Sequence, residues 1–359
     1  MSIHRFVQLD IFTDRAFAGN PLAVFPEANG LTDDEMLKIA REMNLSETVF
    51  VLKPEEQTAQ APDERPEEKP ENGPKLIEPH EGNTAVGQTK PEEISTDKPV
   101  VGREQPLRRL RIFTPAREIP FAGHPVVGTW NALAREGIVP VPESGSGWTR
   151  IHHEVGIGIL PVDIEFKNGE PAQVVMTQGK FEIVGEIDDW HEQAEIARAL
   201  GRDREDLDES LPIQIISTGL PSLAVPIRSL ADLRHCRVNA ALVAEITTRI
   251  GATGCHAFSR ETIEIGESRA HARFFAPADN IAEDPATGSA SGALGAYLVH
   301  NGVSGVESRD GKFQFVIEQG DFINRPSRIN IEITGEPGSI EKVRVGGPSV
   351  IVARGEVYL

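Results

Sequence analysis

The sequence predicts an α+β protein made of two similar halves. Its 359 residues are enough for two domains of ordinary size. Strand and helix patterns are mixed along the chain without strict β-α-β alternation, which favours layers with largely antiparallel pairing. A strand-loop-helix segment at 111–134 also recurs at 273–299, about half the chain away. Together these observations predict a repeated fold with a cleft between its halves.

The repeat is carried by residues at matching positions. The sequence RIFTPA of the first copy corresponds to RFFAPA of the second. The matched pairs are Arg111 with Arg273, Phe113 with Phe275, Pro115 with Pro277 and Ala116 with Ala278. With a three-residue shift, Ala-Gly-His at 122–124 lies on Thr-Gly-Ser at 287–289. Each copy therefore ends a strand and begins a helix at a glycine.

Composition and charge exclude several classes of protein. Hydrophobic residues make up 39% of the chain, which is typical of a soluble globular protein. The net charge of −19 repels phosphate backbones and anionic lipid, so we expect neither nucleic acid nor a membrane as a partner. Asp10 interrupts the first apolar run, so no signal peptide is expected, and no apolar stretch reaches membrane-spanning length. Two cysteines, Cys236 and Cys255, are too few for a disulfide framework, which favours a cytoplasmic location.

The first fifty residues contain three strand patterns and one helix pattern. Strands are predicted at 6–12, 22–25 and 48–52, and a helix at 31–44. Thr32 and Glu35 form a capping box at the start of this helix. The residues Leu45-Ser46-Glu47 then make a tight turn into the third strand.

Residues 53–106 break this pattern. They contain nine prolines, thirteen acidic and seven basic residues, and no Phe, Trp or Tyr. Such a stretch cannot bury enough apolar surface to offset the entropy lost on ordering it. We therefore expect 54–106 to be a disordered insertion outside the core, either a solvated spacer or a partner-binding tail. Excising it would leave the strands on either side, 48–52 and 107–115, as a simple hairpin.

The rest of the chain continues the mixture of strands and helices. Further strands are predicted at 107–115, 155–166, 172–178, 213–219, 222–227, 268–277, 313–320, 328–335 and 348–359, and further helices at 124–137, 188–201, 239–251 and 287–302. Several of these helices stop at a glycine, the residue that most easily adopts the left-handed conformation of a helix end.

Two glycines mark the helix starts that could bind an anion. Gly123 and Gly288 each lie where a loop leads into a helix. Because glycine has no side chain, a ligand can approach the main chain closely there. Helix N-termini present free N–H groups and a partial positive charge, which suit a carboxylate or phosphate. Ser289 at the second of these starts could equally be a helix cap.

Three further side chains have both a functional and a structural reading. Asp284 could fix an amine or hydroxyl of a ligand, or could serve only as a turn former. His124 could shuttle a proton, or could be a buried structural histidine. Glu47 could be the base for a carbon acid, or a solvated surface residue. No metal-ligand spacing, dinucleotide motif or phosphate loop accompanies them.

Four segments together resemble the phenazine biosynthesis PhzF family. They are FVQLDIFTDRAFAGNPLAVF at 6–25, NLSETVFVL at 44–52, RIFTPAREIPFAGHPVVGT at 111–129 and AEDPATGSASG at 282–292. The resemblance covers nearly the whole chain except the insertion. It implies the diaminopimelate epimerase fold, in which two pseudo-symmetric domains each wrap a curved mixed or antiparallel sheet around a central helix. The implied domains are 1–178, completed by 345–359, and 179–344.

The resemblance also implies roles for individual residues. Glu47 aligns with the family's general acid/base, and the other aligned active-site residues are His124, Asp284 and Ser289. Main-chain N–H groups near Gly123 and Gly288 would bind the substrate carboxylate. Diaminopimelate epimerases carry a cysteine before each paired glycine, whereas this chain has Ala122 and Thr287. A two-thiol mechanism is therefore not available, which leaves one carboxylate to remove and return a proton.

The expected function is a cofactor-independent and metal-independent isomerase, acting as a homodimer on a small carboxylate. Its substrate would be an unsaturated or cyclic amino or hydroxy acid, similar to trans-2,3-dihydro-3-hydroxyanthranilate. One alternative is a one-base epimerase or racemase, which would exchange a proton at a chiral carbon. The other is a non-catalytic protein that binds a small acid without proton exchange.

Overall fold

The computed structural model describes residues 2–55 and 105–359. The predicted insertion at 54–106 lies almost entirely outside these ranges. The strands on either side of it, Thr48–Leu52 and Arg109–Phe113, are antiparallel neighbours with Leu52 opposite Arg109. The predicted pairing of these two strands is confirmed.

The described residues form eighteen β-strands and six α-helices, which confirms the α+β class. The strands are β1 (Ile3–Ile11), β2 (Asn20–Phe25), β3 (Thr48–Leu52), β4 (Arg109–Phe113), β5 (Glu118–Ile119), β6 (Gly147–Val155), β7 (Gly158–Lys167), β8 (Glu170–Thr177), β9 (Glu182–Ile187), β10 (Ile213–Ser217), β11 (Ser222–Pro226), β12 (Cys255–Ser259), β13 (Ser268–Ala276), β14 (Ile281–Asp284), β15 (Lys312–Gln319), β16 (Ser327–Glu336), β17 (Ser339–Gly347) and β18 (Ser349–Tyr358). The helices are α1 (Asp33–Met43), α2 (Gly123–Arg135), α3 (Trp190–Ala199), α4 (Leu230–Arg234), α5 (Ala240–Ile250) and α6 (Gly288–His300).

The strand pairings occur twice in the same order. The first half runs β18-β1-β2-β3-β4-β6-β7-β8, and β5 pairs with β4. The second half runs β9-β10-β11-β12-β13-β15-β16-β17, and β14 pairs with β13. In both halves the third and fifth pairings of the series are parallel and the others antiparallel. This agreement is the pseudo-symmetry expected of a diaminopimelate-epimerase-like fold, and it explains the repeat seen in the sequence.

The two halves are joined by one antiparallel strand pair. β8 of the first half lies beside β17 of the second, with Thr177 opposite Arg344 and Val174 opposite Gly347. Since both strands hold the same place in their own half, the junction is itself symmetric. The domain limits at 178–179 and 344–345 stay a prediction.

Each half is built around one buried helix. α2 and α6 each bury eleven of their thirteen residues, because their sequences are small or apolar on every side. Glycines let the sheets approach them: a Cβ atom at Gly128 would lie 2.4 Å from Ile11 Cδ1, and one at Gly295 would lie 2.5 Å from Ile331 Cγ2. Across the described ranges, no helix has both the length and the apolar character needed to cross a membrane.

The predicted elements are present except around residue 156, whereas the sequence analysis predicts no counterpart of β5, β9, β12, β14, β17 or α4. The α1 capping box is present, with the Glu35 amide donating to Thr32 Oγ1 and the Thr32 amide donating to Glu35 Oε2. The single strand predicted at 155–166 is wrong at its start, because β6 ends at Val155 and the chain turns before β7. β6 is missed by the sequence pattern because only three of its side chains are buried and one of these is a histidine.

Candidate active site

Glu47 and His124 meet at the centre of the candidate site. Glu47 lies in the turn between α1 and β3, where Asn44 ends the helix in a left-handed conformation. His124 is the second residue of α2. Its Nε2 lies 3.2 Å from Glu47 Oε2, and the two side chains are 8% and 12% exposed. Within 2–55 and 105–359 neither atom has an aligned hydrogen-bond partner, so both could engage a substrate.

Asp284 lies at the end of β14 and is buried beside this pair. Asn20 Nδ2 donates to Asp284 Oδ1 over 2.9 Å, and Thr287 Oγ1 donates to Asp284 Oδ2 over 2.5 Å. Asn20 comes from β2 of the first half, whereas Asp284 belongs to the second. The site is therefore assembled from both halves of the chain.

Burial and mutual charge set the protonation of these groups. Burial alone lowers the pKa of the His124 imidazole, but the carboxylates of Glu47 and Asp284 outweigh it and raise that pKa. Burial raises the pKa of Asp284 to about 6, and the nearby charge of Glu47 acts in the same direction. His124 and the hydrogen bonds from Thr287 and Asn20 oppose this rise in the Asp284 pKa. His124 is therefore more readily protonated than an ordinary imidazole.

The two buried helices begin opposite each other at this site. Gly123 and Gly288 are their first residues, and a Cβ atom at Gly123 would lie 4.0 Å from the Ser289 main-chain nitrogen. Neither capping residue, Ala122 or Thr287, caps its helix with a side-chain hydrogen bond. Two N-termini with uncapped N–H groups thus face one space, an arrangement that suits a carboxylate.

Sequence reasoning missed three residues that build the site. Asn20 lies in the GNP sequence of the opening segment, but nothing there indicates a bond to a residue 264 positions away. Gln319 at the end of β15 bonds to the loop before α6, and no motif marks it. Phe12 has a positive φ of 62°, and a Cβ atom at Gly288 would lie 3.1 Å from its ring. The Phe12 ring therefore packs against the first residue of α6.

The structure brings all six predicted site residues to one place. Glu47, His124 and Asp284 form the acidic and basic cluster. Gly123, Gly288 and Ser289 form the opposed helix starts. Across residues 2–55 and 105–359, no three His, Cys, Asp or Glu side chains are grouped as metal ligands would be.

Comparison with known proteins identifies the family. Residues 9–62 and 96–355 match the PhzC-PhzF family, described as phenazine biosynthesis-like protein. An uncharacterised isomerase of Clostridium acetobutylicum is 32% identical over 99% of this chain and 98% of its own length, and a trans-2,3-dihydro-3-hydroxyanthranilate isomerase of Pseudomonas aeruginosa is 28% identical over 99% and 100%. The crystal structure of a PhzF-family phenazine biosynthesis protein of Bacillus anthracis is 26% identical and superposes with a TM-score of 0.74 over 100% of both chains. The chain therefore belongs to the PhzC-PhzF family and is an isomerase.

Proposed function

We propose that this isomerase moves a proton within a small unsaturated or cyclic amino or hydroxy acid, with Glu47 as its single acid/base. The observation that supports this most directly is the 3.2 Å contact between Glu47 and His124 in an almost fully buried site. A buried carboxylate beside an imidazole is well placed for abstraction of a proton from carbon. We propose no metal or cofactor in the reaction.

The opposed starts of α2 and α6 would hold the substrate carboxylate. Because the whole chain carries a net charge of −19, only local positive potential can attract an anion. A helix N-terminus contributes about 0.3–1 kcal/mol at an exposed site and more when partly buried. Asp284 would accept a hydrogen bond from an amine or hydroxyl group of the same substrate. These contacts would place the reacting carbon near Glu47.

The proton would then be moved on one face of the substrate. Glu47 removes a proton from carbon, the electron pair of the broken C–H bond forms a new double bond to the adjacent carbon, and the pair of the original double bond moves along the conjugated system. The Glu47 carboxylic acid returns the proton to the far end of the conjugated system, so the reaction involves no net oxidation or reduction. His124 would donate to the oxygen or nitrogen on which negative charge develops. The dihydrohydroxyanthranilate accepted by the Pseudomonas aeruginosa relative has the required unsaturation and groups.

An assay in D2O tests this proposal. The protein would be incubated with trans-2,3-dihydro-3-hydroxyanthranilate and then with a panel of unsaturated and chiral amino acids, with NMR detection. We expect an isomer with a shifted double bond. Deuterium at the chiral carbon of a recovered, racemised acid would instead support the one-base epimerase. Tight binding with no isomerisation or exchange across the panel would contradict the enzyme proposal and support a binding protein.

We further propose that the protein works in the cytoplasm as a homodimer. Both cysteines, Cys236 and Cys255, are free and buried, which agrees with a reducing compartment. The dimer is proposed from the family resemblance. Light scattering should give twice the mass of one chain, and a monomer at micromolar concentration would contradict it.

A further inference from the structure

Both carboxylate oxygens of Asp284 are held by donors. Asn20 Nδ2 also donates to the Ala286 carbonyl over 2.9 Å, so both of its protons are used. Thr287 Oγ1 lies 2.5 Å from the second oxygen. An amide nitrogen can only donate, which already favours the charged form of the acid on one side. Whether the contact at the second oxygen also favours the charged form depends on the direction of the hydrogen bond between Thr287 and Asp284.

Gln319 determines the direction of the hydrogen bond between Thr287 and Asp284. The main-chain N–H of Thr287 can only donate, so the oxygen of the Gln319 amide must face it, 3.1 Å away. The main-chain carbonyl of Asp284 can only accept, so Gln319 Nε2 must face it, 2.7 Å away. The same Nε2 donates to Thr287 Oγ1 over 3.1 Å. The Thr287 hydroxyl therefore accepts from Gln319 and has its own proton left for Asp284.

From this chain of contacts we infer that Thr287 and Gln319 are positioning residues that hold the Asp284 carboxylate in place and keep it ionised. Gln319 is fully buried and acts only through Thr287 and Asp284. The charged or titratable groups facing Asp284 are His124 from α2 and Glu47 from the turn before β3. Burial works against this ionised state, so the donors are needed to hold it. For turnover, the inference rests on the proposed function, because an ionised Asp284 would bind a substrate ammonium group more strongly than a neutral one.

The charge state can be measured without a substrate. Aspartate carboxyl carbons would be labelled with ¹³C, and the Asp284 signal assigned from its loss in Asp284→Asn. Thr287→Val keeps the shape of the side chain but removes the hydroxyl, and should raise the pKa of Asp284 by about one unit or more. Thr287→Ser restores the hydroxyl and should titrate as the unmodified protein does. Equal titration of Thr287→Val and the unmodified protein would overturn the inference.

Gln319→Glu gives a second, independent variant. Its new carboxylate would draw the Thr287 hydroxyl away from Asp284 and would add a negative charge close to it, and both effects should raise the pKa of Asp284. An unchanged Asp284 titration in a folded Gln319→Glu protein would also overturn the inference. Once a substrate is found, the acid limb of kcat/KM should move to higher pH in Thr287→Val and return in Thr287→Ser. Absence of turnover in the unmodified protein would contradict the proposed function but leave the NMR result standing.

Discussion

Glu47 and Asp284 are two carboxyl groups in one buried site, yet their surroundings differ. Both oxygens of Asp284 receive hydrogen bonds, from Asn20 and from Thr287. Glu47 Oε2 has the His124 contact but no aligned hydrogen bond within the part of the chain that is described. A carboxylate fixed by donors suits binding, and a less constrained one suits proton transfer. The two acids are thus fitted to different tasks.

Replacing Glu47 tests its role as the base. Glu47→Gln keeps the shape of the side chain but removes the basic group, so turnover should fall by about 10²–10⁴-fold or more, with little change in substrate affinity. Glu47→Asp keeps a base withdrawn by one carbon–carbon bond and should lose about 100-fold. The measurements are turnover and substrate binding, with the exposed Glu42→Gln on α1 as control. Turnover of Glu47→Gln within tenfold of the unmodified protein would mean that Asp284 or His124 is the base.

Asp284 should cost the protein stability at neutral pH. Its pKa is raised from 3.8 to about 6 in the folded state, so the folded protein binds more protons than the unfolded one between about pH 4 and pH 6. The contribution of Asp284 to the free energy of unfolding is largest below about pH 4 and falls as the pH rises through 6. Asp284→Asn should therefore raise the free energy of unfolding by about 1–3 kcal/mol above pH 6, with the gain vanishing near pH 4.

Urea unfolding at several pH values would measure this difference. The exposed Asp279→Asn serves as control and should show no such pH dependence. If Asp284→Asn is equally stable or less stable than the unmodified protein above pH 6, the buried carboxylate is not a destabilising group.

At the level of single residues, the sequence predicts part of the candidate site but not all of it. Glu47, His124 and Asp284 were found because each lies in a segment shared with a family. Gln319 was not, because its role depends on β15 lying beside β13 and so next to the loop before α6. Such a contact is set by strand pairing and leaves no local pattern in the chain.

At the level of elements, the site depends on the close approach of the N-termini of α2 and α6. Gly123 lies at the start of α2, and the nearest atom to a Cβ there would be Met176 Sδ at 3.5 Å, an ordinary contact. Gly123→Ala should therefore leave the free energy of unfolding almost unchanged. Its methyl group would occupy space facing Ser289, so the KM should rise tenfold or more, equivalent to about 1.4 kcal/mol.

Gly128→Ala on the same helix is the matched control. Its Cβ would lie 2.4 Å from Ile11 Cδ1 and 2.7 Å from Leu22 Cδ2. Overpacking of this kind costs about 1–3 kcal/mol of stability, without a methyl group in the proposed binding space. Normal substrate affinity in Gly123→Ala would place the carboxylate elsewhere.

Elements were predicted well where their side chains alternate clearly. α1 was found from its capping box and apolar face, and both features are present. β6 was missed because it is largely polar and joins β7 through a turn at Gly156, which packs against Pro120. A Cβ atom at Gly156 would lie 2.7 Å from Pro120 Cα, so that turn depends on a contact from outside the strand pair.

For the whole molecule, the insertion should be dispensable. Leu52 and Arg109 are paired neighbours, so a variant lacking residues 55–105 can close the gap with a short loop. We expect its free energy of unfolding and its turnover to stay close to those of the full chain. Urea unfolding and the isomerase assay would test this, with a Gly/Ser segment of equal length as control. A deletion variant that fails to fold, while the Gly/Ser variant folds, would show that the length of the segment is required, and failure of both variants would show that the acidic sequence itself is required.

The last strand of the chain has the same place in the first half that β9 has in the second. In the second half the chain passes from β9 to β10 through α3, whereas in the first half β18 and β1 are joined only by hydrogen bonds, and Ser2 and Leu359 exchange two of them over 2.8 and 3.0 Å. The described chain therefore passes through two nine-strand units, and the β18–β1 pair of the first corresponds to the β9–β10 pair of the second. A circular permutant that links residue 359 to residue 2 and starts at residue 105 should fold with the same strand pairs.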